Sequence, residues 1–248
     1  MTEKLLIEKS EELLVTFFRT LSEPERKQIG LMGGWAVYFL LKNQGVNHMG
    51  SRDIDIFFEP AKTKINTITK KLEQMRFHPH SMFRWVKIFH SETEKELSLD
   101  ESKKYPIYEL SYVYFDLATP TKHPHVMPEP LLKKVFKKEN RVLEIRGIKV
   151  MVPTKKIMVE MKLKSSIERT DSFKRAKDIA DLYDLLNSTP DCWITKKGQR
   201  TKTKNLNPAL VKKFKEKTER FKTDGTIAYA ADLLKTDENK IIELLEKI

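Results

Sequence analysis

The run Asp53-Ile54-Asp55-Ile56-Phe57-Phe58 restricts the chain more than any other stretch. Its β-branched and aromatic residues predict a strand, and a strand sends successive side chains to opposite faces. Asp53 and Asp55 then share one face, with Ile54 and Ile56 on the other. Two carboxylates this close repel each other unless a cation lies between them, and Mg²⁺ suits carboxylates combined with substrate phosphates. A lone Asp-x-Asp is more often a strand cap beside an exposed acid, so the weight of the pair depends on its surroundings.

Upstream, the apolar run Ile29 to Met32 is stopped by Gly33 and Gly34, after which Ala36, Val37, Phe39, Leu40 and Leu41 recur with helical spacing. A turn without side chains therefore opens a helix, where backbone N–H groups and the positive end of the helix dipole can hold a phosphate closely. Gly45 and Gly50 punctuate the following loop. Downstream, Ile107 to Leu117 reads as a second strong strand, and Asp116 stands at its end before Ala118-Thr119-Pro120. An unpaired charge there is costly unless it reaches solvent or a metal, which makes Asp116 a candidate third carboxylate; the plainer reading is a cap on the next turn.

Gly33-Gly34-Trp35-Ala36, then Ser51-Arg52-Asp53-Ile54-Asp55-Ile56, then an acid on a later strand resemble the polymerase-β-like nucleotidyltransferase superfamily. Within it the pattern looks most like the minimal nucleotidyltransferases. These include AbiEii-like toxins of type IV toxin–antitoxin systems and the aminoglycoside and lincosamide nucleotidyltransferases, in which a Trp also commonly follows the glycines. The resemblance implies two Mg²⁺ ions on Asp53, Asp55 and Asp116, and a nucleoside triphosphate whose phosphates lie against Gly33, Gly34 and Ser51. It implies an α/β (α+β) fold: a mixed sheet with flanking helices as catalytic domain over residues 1–152, then a helical domain over 153–248 completing a cleft.

From Thr154 the periodicity becomes helical, and VPTKKIMVEMKLKSSIERTDSFKRAKDIADLYDLL resembles a downstream motif of the AbiEii-like proteins. By that match Lys162 corresponds to the lysine that faces the nucleotide phosphates, and Asp178 and Asp181 to acids of the second helix; neighbouring Lys164 remains an alternative to Lys162. A compact ammonium suits neutralisation of a departing triphosphate oxygen, and Asp181 is placed to orient it by a charged hydrogen bond. The plain reading is a solvated lysine face, with Asp178, Asp181 and Asp184 as a polar surface opposite Phe173, Ile179, Leu182 and Leu186.

A formal charge of +12 over 248 residues points to a polyanionic partner, or more simply to a lysine-rich solvated surface. The stretch 194–206 carries Lys196, Lys197, Arg200, Lys202 and Lys204 with no acid, and is the best candidate RNA contact. RNA, the 3′ end of tRNA in particular, is the acceptor these features favour. An antitoxin protein is a further partner that the toxin resemblance implies. The alternatives are a small hydroxylated acceptor, as in the antibiotic-modifying relatives, and a non-catalytic binding protein of the same fold.

The single cysteine, Cys192, excludes an intramolecular disulfide and a cysteine zinc cluster. His78-Pro79-His80 and His123-Pro124-His125 lack a third ligand at a recognised spacing and read as loops. The longest apolar run, Trp35 to Leu41, is far short of a membrane span, and acids near the N-terminus argue against a signal peptide. A soluble, cytoplasmic protein is expected. Among local elements, the pattern predicts a helix over 3–21 lying over the catalytic half, a helix over 62–75, a strand over 83–89, an exposed connection over 91–106, and a hairpin closing at Arg146-Gly147. Beyond Pro208 it predicts helices over 209–222, 226–235 and 237–247.

Overall fold

The computed structural model describes residues 1–42, 44–46, 48–61, 63, 65–188 and 206–248. Cys192 and the basic residues Lys196, Lys197, Arg200, Lys202 and Lys204 lie outside them. The chain separates into two compact units, Met1–Phe39 with Met49–Pro153, and Leu40–His48 with Thr154–Ile248.

The first unit is built on a mixed sheet. In chain order its elements are α1 (Glu3–Thr20), α2 (Glu23–Arg26), β1 (Ile29–Met32), α3 (Gly33–Lys42), β2 (Ile54–Phe58), α4 (Ile65–Gln74), β3 (His78–Ser81), β4 (Arg84–His90), β5 (Glu96–Leu97), α5 (Leu99–Ser102), β6 (Leu110–Thr119), β7 (Met127–Pro128), α6 (Leu132–Lys137), β8 (Asn140–Ile145) and β9 (Ile148–Pro153). The last residues of α3, from Leu40, belong to the second unit. Strand order is β3-β4-β6-β2-β1-β9-β8, with β5 beside β4 and β7 beside β6. β2 and β6 run parallel and β1 pairs antiparallel with β2, so the Asp-x-Asp strand is enclosed on both sides.

Alternation along these strands separates core from site. Ile54 and Ile56 of β2 and Val113, Phe115 and Leu117 of β6 are fully buried, and Phe115 meets Phe17 of α1 at a ring-centroid distance of 4.8 Å and Phe77 at 5.5 Å. Helix α1 starts where the Thr2 side chain accepts from the Leu5 N–H, and it buries Leu6, Leu14, Val15, Phe17 and Phe18. Burying each of those large apolar side chains contributes on the order of 1.5–3 kcal/mol, which anchors the sheet from the face opposite the aspartates. Trp35 is part of this core: its indole N–H donates to Ser10 Oγ at 3.0 Å and its ring stacks on Phe39. It is therefore a packing residue, with no surface to offer an acceptor.

Several local expectations need correction. The strong strand begins at Leu110 and runs on to Thr119; Ile107–Glu109 forms a 3₁₀ turn, and the paired register with β4 ends at His90↔Leu110. Asp116 thus lies within a strand, not at its end. The connection over 91–106 holds β5, paired to β4, and α5, which opens with a Ser98–Glu101 capping box; Leu97 is buried. His78-Pro79-His80 is an edge strand with an irregular register, a position where a missing N–H is tolerated.

The second unit is helical: α7 (Lys155–Glu168), α8 (Ser172–Asn187), α9 (Pro208–Thr223), α10 (Thr226–Leu234) and α11 (Glu238–Glu246). Side chains of Thr154, Asp171, Asn207 and Asp237 cap four of them, each accepting a first-turn N–H. Helix α7 is buried nearly all round, from Ile157 through Leu163, with α8 and α9 packed on it. Its three buried charges are matched: Lys155 donates to Gln44 Oε1, Glu160 Oε1 accepts from the Asn207 N–H, and Lys162 is held by acids of α8. Arg175 of α8 is likewise buried, donating to the Arg169 and Thr170 carbonyls, to Thr226 Oγ1 and to Asp224. That arginine links the end of α7 to the start of α10.

Candidate active site

In the sheet unit, the parallel register sets Asp55 directly beside Asp116, and the antiparallel register sets Met32, the residue before the glycine pair, beside Asp55 on its other side. Gly33 is where β1 becomes α3. Its φ of +68° is left-handed, and a Cβ there would overlap Asp55 Oδ2 while standing 2.6 Å from Cγ. A Cβ on Gly34 would stand 2.9 Å from Cβ of Ser51. The missing side chains thus let a helix start close against Asp55 and Ser51, the arrangement expected of a phosphate-binding turn. Asp53 immediately precedes β2, half-buried in a bend.

The opposite neighbour of Asp116 is Arg84, at the first position of β4. Its Nε donates to Asp116 Oδ1 at 2.7 Å and its terminal nitrogen to Oδ2 at 2.6 Å, a bidentate pair with the carboxylate buried. Hydrogen bonding to Asp116 is the main influence raising the Arg84 pKa; burial opposes it, and the charges of Asp116, Asp53 and Asp55 add to it. The guanidinium thus supplies positive charge on Asp116, within electrostatic range of Asp53 and Asp55. Among the described residues no three His, Cys, Asp or Glu side chains converge as a ready metal cage. The donor set nonetheless suits a hard divalent cation: oxygen ligands on adjacent strands, beside a glycine turn, whose mutual repulsion a positive charge must relieve.

Lys162, Asp178 and Asp181 come together in the helical unit. Lys162 Nζ lies 2.9 Å from Asp178 Oδ1 and 2.5 Å from Asp181 Oδ2, all three buried. The acids are not a polar surface, because α8 turns that face inward to meet a lysine that α7 buries. Burial alone would lower the Lys162 pKa, but the two carboxylates outweigh it and raise it. Asp181 moves the other way: burial pushes its carboxyl up, and Lys162 with His48 brings it down to about 2. His48 Nε2 is 2.8 Å from Asp181 Oδ1, and Arg169 Nε bonds Asp178 Oδ2. Asp184, one turn on, is raised to about 6, chiefly by burial, with His48 opposing and Asp181 reinforcing.

Sequence patterns did not single out Arg84 or His48, whereas Arg169 is the arginine between the two helices of the downstream motif. Arg84 carries a faint signal, a charge opening an apolar strand, but its match to Asp116 depends on strand register. His48 is a lone histidine in a glycine-bounded loop and carries none.

No family model matches the chain, and no curated protein matches it. Among solved structures, that of an antigenic nucleotidyltransferase-like protein from Paracoccidioides brasiliensis is similar, with a TM-score of 0.49 and 15% identity over 93% of this chain and 94% of that one. The fold itself is mixed α/β, a nine-stranded sheet with flanking helices followed by a helical region. Among the described residues no helix is long and apolar enough to cross a membrane.

Proposed function

We propose that the protein is a nucleotidyltransferase that moves a nucleoside monophosphate from a nucleoside triphosphate to a hydroxyl of an RNA, releasing pyrophosphate. The observation that carries this reading is the Asp55–Asp116 register beside a helix-opening Gly33-Gly34 turn that admits no side chain. The turn's backbone N–H groups and Ser51 are assigned to the triphosphate. Asp53, Asp55 and Asp116 are the residues that would hold Mg²⁺, two ions by the resemblance, and bound Mg²⁺ would neutralise the triphosphate and the departing pyrophosphate. Asp116 is assigned the acceptor proton as well, which requires it to exchange at least one hydrogen bond with Arg84.

For Lys162 the resemblance suggests phosphate neutralisation, with Asp181 orienting the ammonium. That task requires Lys162 to give up Asp178 or Asp181 in part. RNA as acceptor rests on the net charge of +12 and the basic stretch 194–206. A toxin role with an antitoxin partner rests on resemblance alone.

The test is transfer of radiolabel from each α-labelled nucleoside triphosphate, with Mg²⁺, to total tRNA and bulk RNA, comparing wild type with Asp53→Ala/Asp55→Ala. Label that appears on RNA and vanishes in the variant is the expected result. Label that persists in the variant, or appears only on small hydroxylated acceptors, refutes it.

A further inference from the structure

The strand that carries Asp116 presents more than an acid on that face. Tyr112, Tyr114 and Asp116 alternate with the fully buried Val113, Phe115 and Leu117, so all three leave the sheet on the side away from α1. Opposite them in register on β4 stand Ile88, Val86 and Arg84. The Tyr112 and Tyr114 rings are 6.0 Å apart and only 12° from parallel, and Arg84 Cζ lies 4.6 Å over the Tyr114 ring. His80 of the edge strand adds a fourth planar group, 5.6 Å from Tyr114. Buried Val86, Ile88 and Leu97 form the floor on which the two half-buried tyrosines rest. Three planar groups thus lie in line, and the line ends where Arg84 grips Asp116.

We propose that the Tyr112–Tyr114–Arg84 row seats unpaired bases at the 3′ end of the acceptor RNA, guiding its terminal hydroxyl to Asp116; this rests on the transfer reading above. Partly exposed aromatic rings on a sheet stack single-stranded bases whatever their identity, because every base has a π-face, and an arginine plane extends such a stack. The row suits a nucleic-acid strand better than an apolar peptide because a guanidinium plane closes it: Arg84 lies over the Tyr114 ring while its terminal nitrogen and Nε hold Asp116. The row is also continuous with the acid assigned to the acceptor. A rigid pair of tyrosines loses little conformational entropy when a base stacks on it.

The experiment uses the full-length protein in EDTA without nucleotide, so that binding is read apart from turnover. A single-stranded hexaribonucleotide with 2-aminopurine at its 3′ end and fluorescein at its 5′ end reports stacking by quenching and affinity by anisotropy. Wild type is expected to quench the 2-aminopurine. Tyr112→Ala/Tyr114→Ala should lose the quench and bind at least about tenfold more weakly, whereas Tyr112→Phe/Tyr114→Phe should keep both within about twofold, because stacking needs the ring and not the hydroxyl. Unchanged quenching in the alanine variant, or equal loss in the alanine and phenylalanine variants when circular dichroism shows both folded, overturns the proposal. If wild type transfers no label to RNA yet the ring-dependent quench is present, the transfer reading fails and the platform stands. If label is transferred without any quench, the platform fails and the transfer reading stands.

Discussion

Gly33→Ala is the perturbation whose cost follows most directly from the geometry. The new side chain pays twice: the left-handed φ of +68° costs a non-glycine residue about 1–2 kcal/mol, and the Cβ overlaps the Asp55 carboxyl. Relief of that overlap has to move Asp55 or the start of α3, and overpacking of this kind costs roughly 1–3 kcal/mol. The sum is about 2–5 kcal/mol. Gly147→Ala is the matched control in the same unit, since Gly147 has a φ of +79° and nothing within 4 Å of its would-be Cβ, so only the backbone cost of about 1–2 kcal/mol applies. Urea unfolding followed by the fluorescence of buried Trp35 and Trp85 measures both variants. Gly33→Ala should be the less stable by about 1–3 kcal/mol, and should lose nucleotidyl transfer by displacing Asp55. Equal destabilisation of the two variants would refute the claim that the glycine turn and Asp55 are in steric contact.

Other perturbations give similarly defined outcomes. Arg84→Met leaves the buried Asp116 carboxylate without its bidentate partner and should destabilise the sheet unit by about 3–5 kcal/mol in chemical unfolding, with Arg84→Met/Asp116→Asn recovering much of the loss. Lys162→Met removes the cation that buried Asp178 and Asp181 share, leaving them Arg169 and His48, and should lower the thermal midpoint; adding Asp181→Asn should restore part of it, an outcome that a merely exposed lysine would not produce. Asp184 should titrate near pH 6 by carboxyl NMR. Because its folded pKa lies above the unfolded value of about 3.9, its protonation favours folding: the gain is full below about pH 4 and is lost as pH rises through 6. Asp184→Asn should therefore stabilise the protein near pH 7 and leave it unchanged near pH 4. Asp181 has the opposite sign, contributing stability above about pH 4 that is lost as pH falls towards 2, so Asp181→Asn should flatten acid unfolding in that window.

The sequence by itself determined the elements whose cause is local. The hydrophobic spacing of residues 3–20 marks α1, the Arg146-Gly147 turn marks the β8–β9 hairpin, and Pro208 marks the start of the C-terminal helices. The glycine pair and the Asp-x-Asp strand were equally legible, since a turn residue and a period-two strand announce themselves within a few positions. Register was not legible, because a one-residue slip reverses every side chain and local composition does not forbid it. Only the folded sheet sets Asp116 between Asp55 and Arg84, and lines Tyr112 and Tyr114 up with them. Burial of charge was hidden for a related reason. The resemblance paired Lys162 with Asp181, but on pattern alone Lys162, Asp178 and Asp181 read as a solvated face because each alone is too costly to bury; helix packing brings them within hydrogen-bond reach, and their mutual attraction keeps them inside.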